Sequence, residues 1–255
     1  MGKSDSIKAV LFSIVCFVGM SLLFTFILHY PVRAQKYVAT EIKSKGRNAM
    51  EIETEIKNPE GIYEEHFNNV KKLPTFHPPA DNHVTEAQLH AYYKVVDHCW
   101  QRITEFKQTY IGSINGSMGK LIMLNGYAST MMDLCKIEGL DLAQMTEDEF
   151  TWVRDRMFEA ALFALNRKLS SGKLPEKEQA DLERTRQEIC TVLGLFEDKN
   201  PPAYHWEKLD LKKLPRRNVV LFLRLKNEVR YRYVNFTNVE FDEQDIMKSA
   251  QDLPE

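Results

Sequence analysis

Apolar positions along the chain follow three different rhythms. From Ala9 to Leu28, twenty consecutive residues carry no charge. As a helix that run is about 30 Å long, enough to cross the hydrocarbon layer of a bilayer. Lys3 and Lys8 precede it, and His29, Tyr30, Arg33 and Lys36 form an aromatic and basic collar behind it. A cleaved secretory signal is the rival reading, with small residues at Val32-Arg33-Ala34 for a peptidase. The run exceeds the roughly 7–15 apolar residues of a signal core, so residues 7–30 are expected to form a transmembrane anchor. Basic residues flank the run equally on both sides. A short basic head normally stays inside, which places residues 1–6 in the cytoplasm and the rest of the chain outside it.

Residues 31–73 mix both charges densely with sparse apolar positions and read as a solvated juxtamembrane stalk. Leu73-Pro74-Thr75-Phe76-His77-Pro78-Pro79 then interrupts any helix, because proline lacks a donor and restricts its predecessor. Residues 74–84 are therefore expected to be a linker, with the folded domain spanning 85–235.

In that domain the rhythm becomes helical. Thr85-Glu86-Ala87-Gln88 has the pattern of a capping box. Leu89, Tyr92, Val96, Cys99, Ile103, Phe106 and Tyr110 follow at alternating spacings of three and four, the seam of a helix packed along a partner at a shallow angle. The segment at 111–120 reads as an interhelical turn. It lacks the glycine and hydroxyl that a phosphate loop needs, having Ile114 and Leu121 in those places. A second helix from about Met118 to Ile137 is apolar nearly all round, predicting the most buried element, with Gly139 as its C-terminal cap. Its methionines (Met123, Met131, Met132) read as flexible core packing.

Thr146 to Glu149 forms a second capping box, with Met145 and Phe150 placed as a hydrophobic staple. That helix runs to about Leu169 and ends at Ser170-Ser171-Gly172. Pro175 sits where a further helix takes its first residue. Its buried stripe is Leu182, Ile189, Val192, Leu193 and Phe196. Over 215–235 a helix opened by Pro215 is favoured, although Val219–Leu225 and Val229–Val234 also suit a β-hairpin. The fold class is mostly α: an N-terminal transmembrane helix followed by an antiparallel helical bundle.

Composition adds less. Of 255 residues, 44% are hydrophobic and 27% charged, and the low glycine and proline content disfavours turn-rich β architectures. A net charge of −2 gives no general attraction to nucleic acid. That average conceals an asymmetry. Residues 208–232 hold nine basic side chains against Asp210 and Glu228, whereas from Glu240 onward there are six acids and one lysine. Lys212, Lys213, Arg216, Arg217, Arg224, Arg230 and Arg232 are the candidate interaction surface. The blander alternative is that residues 236–255, an acidic tail, pair with the basic helix.

Five of the seven histidines fall within residues 66–98. Glu86 and His90 share one helical face at a spacing that suits a metal, but no HExxH accompanies them, and the histidines read as a dispersed, solvent-facing set. Cys99, Cys135 and Cys190 lie on helices without a CxxC pair and read as buried thiols. No nucleophile elbow, paired-acid frame or cofactor motif appears, so no cofactor is implied. The expected function is a membrane-anchored, extracytoplasmic structural or protein-interaction role, such as an accessory subunit of an envelope complex, periplasmic in a bacterial host. The bilayer would be met through residues 7–30, and a protein partner through the helical domain. A small-molecule or metal-binding bundle, and an enzyme without a familiar motif, are the other two readings.

Overall fold

A computed structural model describes residues 59–111, 132–172, 174–232 and 234–255. The head and anchor over 1–30, the stalk up to residue 58, nearly all of the 111–120 turn, and Met123 and Met131 lie outside the described residues. Among those described, seven α-helices follow one another: α1 (Pro59–Lys71), α2 (Glu86–Ile111), α3 (132–143), α4 (Glu147–Ser170), α5 (Glu176–Val192), α6 (Arg216–Leu225) and α7 (Glu243–Ser249). The antiparallel pair β1 (Phe196–Glu197) and β2 (Ala203–Tyr204) lies between α5 and α6. The described protein is thus mostly helical. None of its helices is long and apolar enough to cross a membrane.

Helix α4 is the centre. Met157, Phe158, Glu159, Ala160, Ala161 and Leu162 are consecutive and all buried, as are Ala164 and Leu165. Six successive residues sweep more than a full turn, so neighbours must cover this helix on every side. The alanines at 160, 161 and 164 keep its surface low enough for α2, α5, α6 and α7 to pack on it. Its start is the expected one: Thr146 Oγ1 accepts from Glu149 N–H at 3.1 Å, and Met145 and Phe150 are both buried. The Glu149 carboxylate does not fold back to complete its own box, however. It accepts from Gln88 Nε2 at 2.9 Å, and Gln88 is the residue that closes the box of α2, taking the Thr85 N–H at 3.0 Å. The two helix starts are thereby joined.

Of the second predicted helix, residues 118–131 lie outside the described residues. Its end is seen as the start of α3, which is buried at Leu134, Cys135, Ile137, Glu138 and Leu140 and exposed at Met132. Among the described residues the encircled element is α4. Gly139 lies inside α3 rather than capping it. A Cβ there would stand 3.1 Å from Val95 Cγ1 and 3.2 Å from Val95 Cα and O, so glycine permits a close approach to α2. The left-handed residue that ends α3 is Gln144 (φ +52°), with Met145 N–H donating to Leu140 O at 3.0 Å, a Schellman closure. Helix α5 ends in the same way with Gly194 in the left-handed position. Pro175 stands one residue outside α5, as its N-cap.

The boundaries of the folded unit are also corrected. Residues 59–71, expected in the stalk, form α1, whose Ile62, Phe67 and Val70 pack against the core. Asp141 of α3 accepts from Asn69 Nδ2 at 3.0 Å and lies 2.8 Å from His66 Nδ1. The proline-rich stretch is not a free linker. Phe76 packs on Trp152 at 5.4 Å, and Val84 is buried. The fully buried Asn218 of α6 accepts from Val84 N–H at 3.0 Å and donates to Asn82 O at 2.9 Å, holding the stretch down with a satisfied polar group.

At the other end, the helix favoured for 215–235 stops at Leu225. Tyr231 and Val234 then exchange backbone hydrogen bonds around Arg232 (φ +52°), a two-residue reversal that follows the helix instead of replacing it. This folds the chain back so that Phe236 joins Phe158, Phe222 and Phe241 in an aromatic cluster. Residues 236–255 are therefore part of the packed unit and not a tail: Phe236, Ile246 and Ala250 are buried.

Replacing Phe236 by Ala should cost about 3–5 kcal/mol of stability, measured by chemical denaturation, whereas a solvated tail would lose almost nothing. Gly139→Leu should cost about 2–3 kcal/mol, because the added side chain meets the backbone of α2.

Candidate interaction surface

The apolar period of α6 sets which basic groups face outward. Asn218, Val219, Leu221, Phe222 and Leu223 are buried, leaving Arg217, Val220 and Arg224 exposed at spacings of three and four. The 3-10 turn Leu211–Lys213 leads into the helix and exposes Lys212 and Lys213. With half-buried Arg216, these residues make a basic ridge with one apolar position, Val220. Arg230 and Arg232 fall on the reversal after the helix. Arg230 bonds Asp97 at 3.1 Å and lies 4.5 Å from the Tyr93 ring centre. Arg232 and Arg154 each lie 5.3 Å from the Tyr231 ring centre. The seven candidate cations thus divide into a ridge of five and a separate arginine–tyrosine cluster of two.

Most of the ridge has carboxylate partners. Arg224 meets Glu86 at 2.7 Å, Lys213 meets Asp210 at 3.1 Å and Arg216 meets Glu255 at 3.7 Å. The acidic C-terminal stretch turns largely elsewhere. Asp245, in the first turn of α7, accepts two bonds from Arg167 at 2.5 and 2.6 Å, and Lys168 donates to Glu240 O. A first-turn acid against a last-turn arginine complements both helix dipoles. Among the described residues, Glu255 is the acid of this stretch that pairs with the basic block as expected; sequence separation says nothing about which helix ends meet.

Glu86 and His90 do not converge on a common centre. Glu86 is taken by Arg224, and His90 Nδ1 lies 2.6 Å from Glu228 Oε2. Among the described residues, no three His, Cys, Asp or Glu side chains are grouped to hold a metal. The histidines are only in part a solvent-facing set, with His77 and His90 exposed and His66, His83 and His98 half-buried. His66, His83, His90 and His98 each stand within 3.1 Å of a carboxylate oxygen: Asp141, Asp81, Glu228 and Glu138 respectively. Each pair except Asp81–His83 joins residues far apart in the chain, so local spacing carried no signal for it.

Two acidic sites are buried with opposite results. At the α2–α3 contact, Glu138 Oε2 accepts from Arg102 Nε at 3.1 Å and meets His98 Nε2 at 2.9 Å. Burial alone would raise this carboxyl, but the histidine and arginine overcome it and hold the group below its ordinary value. On α4, Glu159 is buried with Arg156 Nη2 at 2.6 Å. Burial there outweighs the arginine and pushes the carboxyl up to about 7. Glu188 on α5 is also raised to about 7 by burial. The cysteines are raised as well: Cys99 to about 12 and Cys190 to about 11 by burial, and Cys135 further in the same direction. Such thiols are poor nucleophiles at neutral pH.

Comparison with protein-family models, with curated proteins and with solved structures finds no match to the chain.

Glu159 supplies a sign for pH dependence. Its folded value lies above the ordinary 4.5, so its contribution is fully present below about 4.5 and is lost as pH rises through about 7. Glu159→Gln, which keeps an oxygen for Arg156, should match the wild type at pH 4. At pH 8 it should be more stable by about 1–3 kcal/mol, measured by denaturant midpoints at both values.

Proposed function

We propose that this protein is a single-pass, membrane-anchored helical protein with a non-catalytic structural or protein-interaction role. Its folded part lies outside the cytoplasm. The observation that carries this reading is the uncharged run Ala9–Leu28 with its basic and aromatic flanks, a segment that answers to lipid and stands ahead of a separately cored helical unit. Anchoring confines the unit to the membrane surface, where modest contacts gain from a raised local concentration.

The ridge of Lys212, Lys213, Arg216, Arg217 and Arg224 supports a protein partner with an acidic face. Its internal pairs are the solvent-exposed kind: Arg224 and Glu86 are 57% and 50% exposed, and Lys213 and Asp210 are 83% and 53% exposed. Such pairs contribute about 0–1 kcal/mol and exchange readily for an incoming carboxylate. Exposed Val220 supplies an apolar position within the same stripe. The cations would then set encounter rate and register more than affinity.

Crosslinking the full chain in native membranes should recover a defined partner in stoichiometric yield. The double change Lys212→Glu with Arg217→Glu should reduce that yield by about tenfold or more. A chain that stays monomeric under crosslinking would overturn the interaction role. Wild-type chain released from membranes by an alkaline wash would overturn the anchor.

A further inference from the structure

Helices α2 and α3 meet in a register that sets two cysteines opposite each other. The direction of the pair is fixed by contacts along its length. His98 and Arg102 of α2 reach Glu138, Val95 lies against Gly139, and Tyr92 and Gln88 meet Phe150 and Glu149 beyond the end of α3. Falling numbers on α2 thus meet rising numbers on the other side, and the two helices run antiparallel. At Val95 and Gly139 the backbones all but touch: a Cβ on the glycine would be 3.2 Å from Val95 Cα, so the two Cα atoms lie within about 5 Å. One turn from this contact, four residues forward on α2 and four back on α3, stand Cys99 and Cys135. One turn in the other direction stand Ala91 and Ala143, both packed against the core. Three pairs of residues at a four-residue spacing therefore line one seam, with glycine at its closest point.

We propose that Cys99 and Cys135 are a disulfide-forming pair that ties α2 to α3. A disulfide needs Cα atoms roughly 4.4–6.8 Å apart. Ordinary helix packing at about 8–10 Å between axes meets that condition only where small residues bring the backbones together, as they do along this seam. The two thiols also feel each other: burial raises Cys135, and Cys99 adds to the effect. Cys190 lies on a different helix, α5, where Arg186 and Glu207 are the charged groups acting on it.

The chemistry is exchange with an external disulfide, for which glutathione disulfide serves. Cys99, the less buried of the pair, attacks as its thiolate, forming an S–S bond to one glutathione and releasing the other as a thiolate. Cys135, as its thiolate, then displaces the second glutathione from Cys99. In sum, two protein thiols lose two hydrogens and are oxidised to a disulfide, while glutathione disulfide is reduced to two thiols. The elevated thiol values make this slow in the folded protein at neutral pH and faster as pH rises. The inference rests on helix register alone and not on the anchor or its orientation.

The test uses full-length chain purified with reductant in detergent, then held with excess glutathione disulfide at pH 8.5. Free thiols are blocked with N-ethylmaleimide under denaturing conditions, and the unreduced digest is mapped by mass spectrometry. The expected result is a fall from four blocked cysteines to two, with the Cys99 and Cys135 peptides recovered as one species that separates on reduction. Cys99 and Cys135 both fully blocked would overturn the proposal. So would a persistent glutathione adduct on Cys99, or a bond from either residue to Cys190 or Cys16.

Discussion

Everything described in this protein depends on the enclosure of α4. A helix with six consecutive buried residues cannot lie on a surface, so the chain must bring elements from before and after it in sequence, α2 before and α5, α6 and α7 after, to cover it. The alanines at 160, 161 and 164 make that cover possible at close range, and hydrophobic burial supplies the drive. The polar wiring follows the same centre. Its N-terminal cap is tied to the start of α2 through Gln88 and Glu149, and its last turn holds α7 through Arg167 and Asp245. Asn218 fastens the proline-rich stretch to α6, which in turn packs on α4.

The same enclosure explains the charge distribution. Once α6 turns its apolar face to α4, its arginines have nowhere to go but outward, and the ridge is a by-product of core packing before it is anything else. Buried charges behave differently from those on the ridge. Glu138 sits where a histidine and an arginine compensate it, and Glu159 where one arginine does not suffice against burial. The first is held ionised, and the second is poised to take a proton near neutral pH.

Much of the candidate surface was legible as composition and little of it as geometry. The cluster of cations over 208–232 is plain in the sequence, as is the outward stripe once a helix is assumed. Which carboxylates meet them is not. Glu86 and Asp97 lie more than a hundred residues away from their arginines, and of the nearby acids of 240–255, Asp245 turns to Arg167 of α4 instead. Glu86 and His90 looked like a metal pair because helical spacing was the one relation visible. The fold assigns each to a separate partner, Glu86 to Arg224 on α6 and His90 to Glu228 on the segment that follows it. The histidine–carboxylate pairs were missed for the same reason, since a long-range ion pair leaves no periodic trace.

Local chemistry determined the helix starts and much of the inward stripes, though Phe196, read into the stripe of α5, lies beyond that helix in β1 and is exposed. A hydroxyl three residues before a free N–H, or apolar residues three and four apart, acts within one or two turns and needs no tertiary context. Thr85 and Thr146 therefore behave as read, and the ends of α4 fall where serine and glycine place them. Only the tertiary structure decided what the irregular and charged stretches do. Residues 74–84 and 236–255 look like linker and tail because prolines and acids dominate them, yet Phe76, Val84, Phe236 and Ile246 are enough to dock them. Burial is earned by a few side chains meeting a cavity that other parts of the chain have built. Gly139 makes the same point in a single residue: read alone it is a helix stop, and against Val95 it is the gap that lets two helices touch.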